Sequence, residues 1–384
     1  MADNKVIIDN VPNISDIDAL NEILEYLGAT VTRKKETMEI DPSTITNKPI
    51  PESVSKKLRA SYYFMGALLG KNKKAIMYFP GGCGIGARPI DLHLKGFEAL
   101  GATVTEEGNK YTIEAAELKG ANIYLDIASV GATINIMLAA TKATGTTIIE
   151  NAAKEPEIVN VATFLNQMGA RITGAGTSKI IIKGVNKLNG CYTEVIPDRI
   201  EAGTYITIGA LCGENLKIEN IIPTHLEAFT SKLKEIGADI KIGTDYILVT
   251  KKEKYKPTKI KVAVYPGFPT DLQQPFTILL TQSTGTSRVT ETIWENRFMH
   301  IKYLNDLGAD ITVKNQTATI EGPTELKGTT VVATDLRAGA AMVAAGLAAD
   351  GTTVITNVEH ILRGYEEIIE KLESVGAKIT LKEV

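Results

Sequence analysis

Cys83 is the side chain whose surroundings best suit covalent or acid–base chemistry. It lies in the stretch Pro80–Arg88, which contains four glycines and ends in an arginine. A mobile thiol near a cation has a lowered pKa and therefore a larger thiolate fraction than an ordinary cysteine. The usual alternative is a buried, unreactive cysteine, which is what we expect of Cys212 in an apolar helix. A run of glycines packs a core poorly, so the sequence favours a reactive Cys83.

The glycines around Cys83 do not form a nucleotide-binding motif. The stretch lacks the Gly-Lys-Ser/Thr ending of a P-loop and the spacing of a dinucleotide fingerprint.

Asp271 follows the turn Phe268–Thr270 and begins a predicted helix. An acidic residue at this place caps the helix or stabilises its dipole. From the residues alone, that structural role and a role in chemistry are equally open.

Three arginines indicate a local anion site. Arg88, Arg337 and Arg363 lie in polar turns of separate segments. A single arginine is usually a solvated surface charge, but guanidinium groups bind phosphate and carboxylate through paired hydrogen bonds. Any such site must be local, because the net charge of −3 argues against broad binding to nucleic acid or to an anionic membrane.

The composition indicates a globular α/β protein of the cytoplasm. A chain of 384 residues has room for about two domains. The N-terminus does not read as a signal peptide, and no apolar stretch is long enough to span a membrane. Three unpaired cysteines suggest a reducing compartment. The four histidines have no metal-ligand spacing, so neither a metal nor another cofactor is predicted.

A six-fold repeat must position these residues. An apolar-Gly-Ala pattern recurs at Gly28, Gly101, Gly169, Gly237, Gly308 and Gly376, with spacings of 73, 68, 68, 71 and 68 residues. Each glycine is expected to end an amphipathic helix and to be followed by a strand. Ser15, with Asp18 three residues later, is expected to cap the first of these helices.

A second kind of helix is rich in small apolar residues and occurs five times. The predicted segments are Tyr62–Leu69, Ile134–Ala140, Gly203–Leu211, Phe276–Leu280 and Ala338–Ala348. Helices that are apolar all round are buried, so we expect them at the domain centres with the strands outside them.

The first repeat is expected to be incomplete. Later units need about 70 residues to reach the glycine, whereas the first reaches Gly28 after 27, so roughly 40 residues of a complete unit are absent. By symmetry the domain boundary falls near Gly190–Pro197, which gives units one to three in 1–197 and units four to six in 198–384.

At this point a family resemblance is visible. The stretch Pro80–His93 reads PGGCGIGARPIDLH, and together with seven shorter motifs it resembles the UDP-N-acetylglucosamine 1-carboxyvinyltransferases of the enolpyruvyl transferase family. The other motifs are Ser129–Thr133, Glu150–Glu157, Pro197–Glu201, Phe268–Gln273, Glu295–His300, Ala333–Arg337 and Arg363–Tyr365. They run in family order over nearly the whole chain.

The resemblance implies two inside-out α/β barrels with the active site in the cleft between them. It implies transfer of the enolpyruvyl group of phosphoenolpyruvate to the 3′-hydroxyl of UDP-N-acetylglucosamine with release of phosphate, the first committed step of peptidoglycan synthesis. The reaction serves cell-wall biogenesis and, through it, cell shape and division. Family members also carry a Gly-Ala-Lys-Asn segment whose Lys and Asn contact the substrates, and this sequence lacks it.

The resemblance also assigns roles to residues. Cys83 protonates the methylene carbon of phosphoenolpyruvate, forms a covalent adduct with it and is the target of fosfomycin. Asp271 is the base near the sugar hydroxyl, with Ile293 in the same pocket, and Arg88, Arg337 and Arg363 bind the anionic groups. The expected nucleotide-sugar contacts are Arg59, Arg88, Pro89, Ile90, Asp91, Leu92, Ser129, Val130 and Gly131; expected supporting residues are Glu155, Glu157, Asp198, Arg199, Asp335 and Asn296.

Two alternatives stay open at the level of sequence. One is the related shikimate-pathway enolpyruvyl transferase, which shares the six-unit architecture but does not use a cysteine loop. The other is a catalytically impaired remnant or nucleotide-sugar binding protein, because the Lys-Asn segment is absent. The six supporting residues could equally serve as charge pairs between domains.

Overall fold

Six glycine turns recur through the computed structural model, which describes residues 1–78, 86 and 89–382 and only the backbone at Arg59. All six predicted glycines have left-handed φ angles, between +83° and +104°. The Gly28 N–H donates to the Glu25 carbonyl, and the Ala29 N–H donates to the Leu24 carbonyl. The other five turns repeat this pair of hydrogen bonds. This geometry ends a helix with its last carbonyls satisfied, so the predicted role of the glycines is confirmed.

The described residues form two compact units. The first runs to Ile196, and the second comprises Gly86 and the chain from Pro197 onward. Each unit has its own hydrophobic core.

The first unit is built from six described α-helices and eleven described strands. Its helices are α1 Ser15–Leu27, α2 Glu52–Ser55, α3 Tyr63–Asn72, α4 Asp91–Ala99, α5 Val130–Ala140 and α6 Pro156–Gln167, with a 3₁₀ turn at Arg59–Tyr62. Its strands are β1 Val6–Asp9, β2 Thr30–Lys34, β3 Thr37–Asp41, β4 Lys74–Tyr78, β5 Thr103–Glu107, β6 Lys110–Glu114, β7 Asn122–Tyr124, β8 Thr146–Glu150, β9 Arg171–Thr173, β10 Lys179–Lys183 and β11 Tyr192–Glu194.

The second unit repeats the same kinds of element. Its helices are α7 Arg199–Cys212, α8 Glu227–Glu235, α9 Gln273–Leu280, α10 Ile301–Asp306, α11 Leu336–Ala348, α12 Glu359–Leu362 and α13 Ile368–Ser374, with 3₁₀ turns at Pro223–Leu226 and Thr270–Leu272. Its strands are β12 Leu216–Glu219, β13 Asp239–Ile242, β14 Tyr246–Thr250, β15 Lys259–Lys261, β16 Gly285–Thr290, β17 Asp310–Lys314, β18 Thr317–Gly322, β19 Thr330–Val332 and β20 Val354–Thr356.

Parallel strand pairs flank the apolar helices. The strand orders are β11-β1-β3-β2, β4-β6-β5 and β7-β8-β10-β9 in the first unit, and β12-β14-β13, β15-β16-β18-β17 and β19-β20 in the second. The pairs β7–β8, β15–β16 and β19–β20 are parallel, with α5, α9 and α11 as their crossovers. These are the predicted βαβ-type units.

The helices lie inside and the sheets outside. All eight residues of α9 are buried, and α11 packs against both α7 and α9. Strands such as β8 and β10 alternate buried and exposed residues, so each sheet covers the central helices with one face. The five predicted apolar helices are α3, α5, α7, α9 and α11, and the inverted α/β layering is confirmed.

One local prediction was wrong. Helix α1 begins at Ser15, with Ile14 at the N-cap and no side-chain cap. Because the helix starts one residue earlier than the pattern suggested, Ser15 lies inside its first turn. Within the ranges that the structure describes, no helix is long and apolar enough to cross a membrane.

Candidate active site

Three predicted site residues cannot be placed. Cys83 and Arg88 lie outside the described residues, and only the backbone of Arg59 is described. Their roles stay predictions from the sequence. The remaining predicted residues divide between the two units.

Two aspartates of the second unit cap central helices. The Asp198 carboxylate accepts hydrogen bonds from the N–H groups of Ile200 and Glu201, at 2.7 and 3.2 Å, at the start of α7. The Asp335 carboxylate accepts from the N–H groups of Arg337 and Ala338, at 2.9 and 3.1 Å, at the start of α11. Both side chains satisfy backbone donors that the helix itself leaves unpaired.

Asp271 occupies the corresponding place before α9 but does not cap it. A 3₁₀ turn precedes this helix, and neither N-cap residue, Pro269 nor Leu272, makes a side-chain cap. The Asp271 carboxylate instead faces Arg297, whose Nη2 lies 2.5 Å from Oδ1, and Arg337, whose Nε lies 3.4 Å from Oδ2. Asp271 therefore does not cap the helix, but it does lie in the first turn of the 3₁₀ segment, where an acidic residue stabilises the helix dipole.

Arg297 is a site residue that the sequence reasoning did not assign, although it lies in a quoted motif. Its side chain is 3 % exposed, and its Nη1 lies 3.9 Å from Asp335 Oδ1. The Gln273 side chain donates to its carbonyl at 3.1 Å, which ties its backbone to the start of α9. A buried guanidinium needs carboxylate partners, and the only signal in the sequence was the position of Arg297 inside the motif Glu295–His300.

Arg337 completes the cluster. Its Nη1 donates to the Tyr365 hydroxyl at 3.4 Å, and that hydroxyl lies 2.9 Å from Thr204 Oγ1 on α7. Burial opposes the charge of Arg337, but Tyr365, Asp271 and Asp198 outweigh it and raise the pKa of Arg337. The contacts with Tyr365 and Asp271 involve Nη1 and Nε of the guanidinium.

We call Asp198, Asp271, Asp335, Arg297 and Arg337 the aspartate–arginine cluster. Three carboxylates at helix starts surround two guanidiniums, so the cluster can pair with a ligand anion and also offer a carboxylate to a ligand hydroxyl.

Aromatic packing fixes the turn that carries Asp271. Phe268 is buried, and its ring centroid lies 5.4 Å from that of Phe276 in α9 and 6.1 Å from that of Phe229 in α8. The Phe268–Phe276 contact is edge-to-face and the Phe268–Phe229 contact is tilted, and aromatic contacts of this kind add to the apolar burial. The turn that carries Asp271 therefore follows a residue, Phe268, that is packed firmly in the core.

Other predicted residues of the second unit lie nearby in sequence. Ile293 is half-buried and packs against the core. Arg363 is half-buried at the C-cap of α12, two residues before Tyr365. Asn296 is exposed next to Arg297, and the Arg199 guanidinium lies 5.4 Å from the centre of the Tyr265 ring. The roles predicted for these four residues stay predictions.

In the first unit, Ser129 caps α5, with its hydroxyl accepting from the Ala132 N–H at 3.2 Å. Val130 and Gly131 form the first turn of that helix. A Cβ at Gly131 would lie 2.9 Å from His93 Cε1 and 3.1 Å from the Tyr62 hydroxyl. The backbone of this turn can approach its neighbours closely only because residue 131 has no side chain.

A neutral network supports the same turn. The Asn135 amide nitrogen donates to His93 Nδ1, 2.8 Å away, and to the Tyr62 carbonyl at 3.2 Å, while its oxygen accepts from the Gly66 N–H. Burial lowers the pKa of His93 to about 4. Because Nδ1 accepts, the neutral ring carries its proton on Nε2.

The remaining predicted residues lie around these helices. Pro89 and Asp91 are exposed, Ile90 is buried at the N-cap of α4, and Leu92 packs against the core. Glu155 is buried at the start of α6 and Glu157 is exposed in its first turn. Burial, Tyr62 and these two carboxylates raise the pKa of Tyr63.

Two further observations concern cysteine and metal chemistry. Cys212 is exposed, so its assignment to the core was wrong: it is the last residue of α7, where the helix leaves the apolar layer. Among the residues described, no group of three His, Cys, Asp or Glu side chains could hold a metal ion.

The comparisons with known proteins agree on one family. The model of the family EPSP synthase (3-phosphoshikimate 1-carboxyvinyltransferase) matches residues 1–372. A UDP-N-acetylglucosamine 1-carboxyvinyltransferase 2 from Bacillus cereus is 56% identical over 380 residues, which cover 99% of this chain and 89% of the relative. The protein of the same name from Listeria monocytogenes is 55% identical, with coverage of 99% and 90%.

Solved structures support the fold. The enolpyruvyl transferase NikO from Streptomyces tendae matches with a TM-score of 0.89 at 27% identity, covering 98% of this chain and 90% of that one. An EPSP synthase from Acinetobacter baumannii has a TM-score of 0.72 at 20% identity, covering 100% and 92%, and shows likeness of fold alone.

The resemblance seen in the motifs is confirmed by this identity, and the interpretation as a remnant or a binding protein is not favoured. The chain belongs to the EPSP synthase family of enolpyruvyl transferases and, within it, to the UDP-N-acetylglucosamine 1-carboxyvinyltransferases.

Proposed function

We propose that this enzyme transfers the enolpyruvyl group of phosphoenolpyruvate to the 3′-hydroxyl of UDP-N-acetylglucosamine and releases phosphate. The observation that carries the proposal is the placement of Asp271. Of three aspartates at equivalent helix starts, it alone directs its carboxylate to two arginines instead of to its own helix. That arrangement suits a base next to an anion-binding group.

The proposed chemistry is an addition followed by an elimination. Asp271 accepts the proton of the 3′-hydroxyl while the sugar oxygen bonds to C2 of phosphoenolpyruvate, and C3 receives a proton from Cys83. The product is a tetrahedral ketal that still carries phosphate. Loss of phosphate from C2 and of a proton from the new methyl group then gives the enolpyruvyl ether. The addition takes one proton from the hydroxyl and gives one to carbon, so the protons balance.

The cations of the site stabilise the charge on phosphoenolpyruvate. The Arg337 side chain is only 15% exposed, so its charge acts in a low-dielectric surrounding. We assign Arg337, Arg363 and Arg88 to the phosphate and carboxylate groups. Arg297 stays paired with Asp271 and Asp335, and we assign it the task of orienting the base.

The first unit supplies the proposed nucleotide-sugar contacts. The turn Ser129–Gly131 begins α5, and backbone N–H groups at a helix start bind phosphate oxygens well. Pro89–Leu92 at the start of α4 and Arg59 are assigned to the same ligand, and Ile293 of the second unit to its sugar ring. Glu155, Glu157, Asp198, Arg199, Asp335 and Asn296 are proposed to support these groups.

We further propose that the two units are the two domains of the enzyme, with their boundary near residue 197. We place the reaction in the cytoplasm, as the first committed step of peptidoglycan synthesis. The names of the relatives support the peptidoglycan role.

The function is tested by measuring phosphate release from phosphoenolpyruvate with each of two acceptors. We expect release that depends on UDP-N-acetylglucosamine and that does not occur with shikimate 3-phosphate. Release with shikimate 3-phosphate would support the other activity of this family. Binding of UDP-N-acetylglucosamine without any phosphate release would contradict a transferase role.

The role of Cys83 is tested by fosfomycin labelling. A thiolate opens the epoxide and gains its mass, so we expect one adduct, located on the peptide that contains Cys83. Cys83→Ser protein should not be labelled. Equal labelling of the serine variant would reject the assignment, because Cys191 or Cys212 would then be the reactive thiol.

A further inference from the structure

Glu291 is a buried carboxylate that the proposed mechanism does not use. It follows β16 and is 1% exposed. Its Oε1 accepts hydrogen bonds from three successive backbone N–H groups, those of Thr292 at 3.0 Å, Ile293 at 2.8 Å and Trp294 at 3.4 Å. A carboxylate with this many donors fixes the local backbone, because its charge strengthens each bond.

The other oxygen of Glu291 binds a different turn. Its Oε2 accepts from the Thr270 hydroxyl at 2.8 Å. Thr270 immediately precedes Asp271, in the 3₁₀ turn before α9. One carboxylate therefore joins the turn that carries Ile293 to the turn that carries Asp271, although the two residues are 22 positions apart.

We propose that Glu291 is a positioning residue that sets the separation between Ile293 and Asp271. The inference rests on the proposed function, in which both residues act on one sugar: Ile293 contacts its ring, and Asp271 takes the proton of its 3′-hydroxyl. A base must lie within hydrogen-bond reach of that proton. A displacement of about 1 Å lowers the rate by on the order of a hundredfold.

The two connections made by Glu291 differ in strength. Glu291 contacts the Ile293 turn through three backbone donors but contacts the Asp271 turn through one hydroxyl. Loss of the hydroxyl should therefore disturb the base and leave the ring contact in place. This asymmetry predicts that kcat falls while KM for the sugar changes little.

Thr270→Val tests the proposal, because valine keeps the shape of threonine and removes the hydroxyl. We expect kcat to fall by roughly tenfold or more, with KM for UDP-N-acetylglucosamine within about threefold of the parent value. Thr270→Ser restores the hydroxyl and should recover most of kcat. The matched control is Thr286→Val, which removes a similar bond, from Thr286 to Glu321 at 2.6 Å, on an exposed part of the sheet.

Three outcomes would overturn the proposal: an unchanged kcat in Thr270→Val, an equal loss in Thr286→Val, or a loss that Thr270→Ser does not reverse. Thermal unfolding of each variant separates a fall in kcat from a smaller folded fraction. The unsubstituted enzyme is measured alongside. Its failure to turn over would count against the proposed function, whereas its activity with an equally active Thr270→Val would count against the role of Glu291 alone.

Discussion

The start of the central helix is built from different chemistry in the two units. In the first unit a hydroxyl caps α5, and neutral amide, imidazole and phenol groups surround its first turn. In the second unit carboxylates cap α7 and α11, and two guanidiniums lie beside the turn before α9. The start of α5 is therefore surrounded by neutral groups, whereas the starts of α7, α9 and α11 carry or contact charged ones.

The same comparison holds within the second unit. Asp198 and Asp335 each accept hydrogen bonds from two backbone N–H groups at Oδ1, which fixes the carboxylates in place. The 3₁₀ turn at Thr270–Leu272 separates Asp271 from the first turn of α9 and turns its carboxylate toward Arg297 and Arg337. A small change in how a helix begins thus converts a structural residue into one that can accept a proton.

Arg337→Lys tests the charged groups at the helix starts of the second unit. Lysine keeps the charge but loses the planar fork that contacts Asp271 and Tyr365 together. We expect KM for phosphoenolpyruvate to rise by about ten- to a hundredfold, since one paired hydrogen bond to the anion is lost. Steady-state phosphate release at varied phosphoenolpyruvate measures it.

The matched control is Arg288→Lys, an exposed arginine on β16 in the same unit. It should leave KM for phosphoenolpyruvate unchanged. A KM for Arg337→Lys equal to that of the control would remove Arg337 from the anion site.

Gly131→Ala tests the neutral groups around the first turn of α5 in the first unit. The new Cβ would lie 2.9 Å from His93 Cε1, and the Asn135 hydrogen bond restrains that ring. Overpacking of this kind costs about 1–3 kcal/mol in the free energy of unfolding, and we expect KM for UDP-N-acetylglucosamine to rise as the turn shifts. Urea denaturation and substrate titration measure the two effects. Unchanged stability together with unchanged KM would show that the turn tolerates a side chain.

Sequence predicted the repeat well because helix ends and apolar helices depend on local pattern. The glycine at each helix end needs a left-handed backbone, and the five apolar helices need burial; both requirements can be read from neighbouring residues. The partners of Asp271 could not be read in this way. Arg297 is 26 residues away and Arg337 is 66 away, so only the tertiary fold brings them together.

Local pattern also misled in two places. The N-cap is Ile14 and not Ser15, because a sequence pattern does not locate the first residue of a helix to better than one or two positions. Cys212 lies in a run of apolar residues, yet the helix ends there and leaves it exposed. Glu291 gave no signal at all, since nothing in the sequence shows which donors a buried carboxylate will meet.

Acid should weaken the neutral network. The pKa of His93 is lowered from its ordinary value of 6.5 to about 4 by burial. The unfolded chain therefore binds a proton below about pH 6.5 that the folded ring resists until about pH 4. The stabilising contribution is complete above pH 6.5 and is lost as the pH falls through that window, by on the order of 3 kcal/mol.

His93→Gln should reduce this loss, because glutamine does not titrate. Urea denaturation at pH 7, 5.5 and 4.5 compares the variant with the parent. His300, whose pKa burial and Arg297 lower to about 3, contributes a similar fall in both proteins. An identical dependence on pH in the two proteins would mean that folding does not lower the pKa of His93.

The central claim is that Asp271 alone among the three helix-start aspartates does chemistry, and kcat for phosphate release by Asp198→Asn, Asp271→Asn and Asp335→Asn tests it most directly. Asparagine caps helices about as well as aspartate, so we predict losses below about tenfold at residues 198 and 335. At residue 271 the amide cannot take a proton, and we predict a loss on the order of a thousandfold. Three equal losses, or a fully active Asp271→Asn enzyme, would contradict the account.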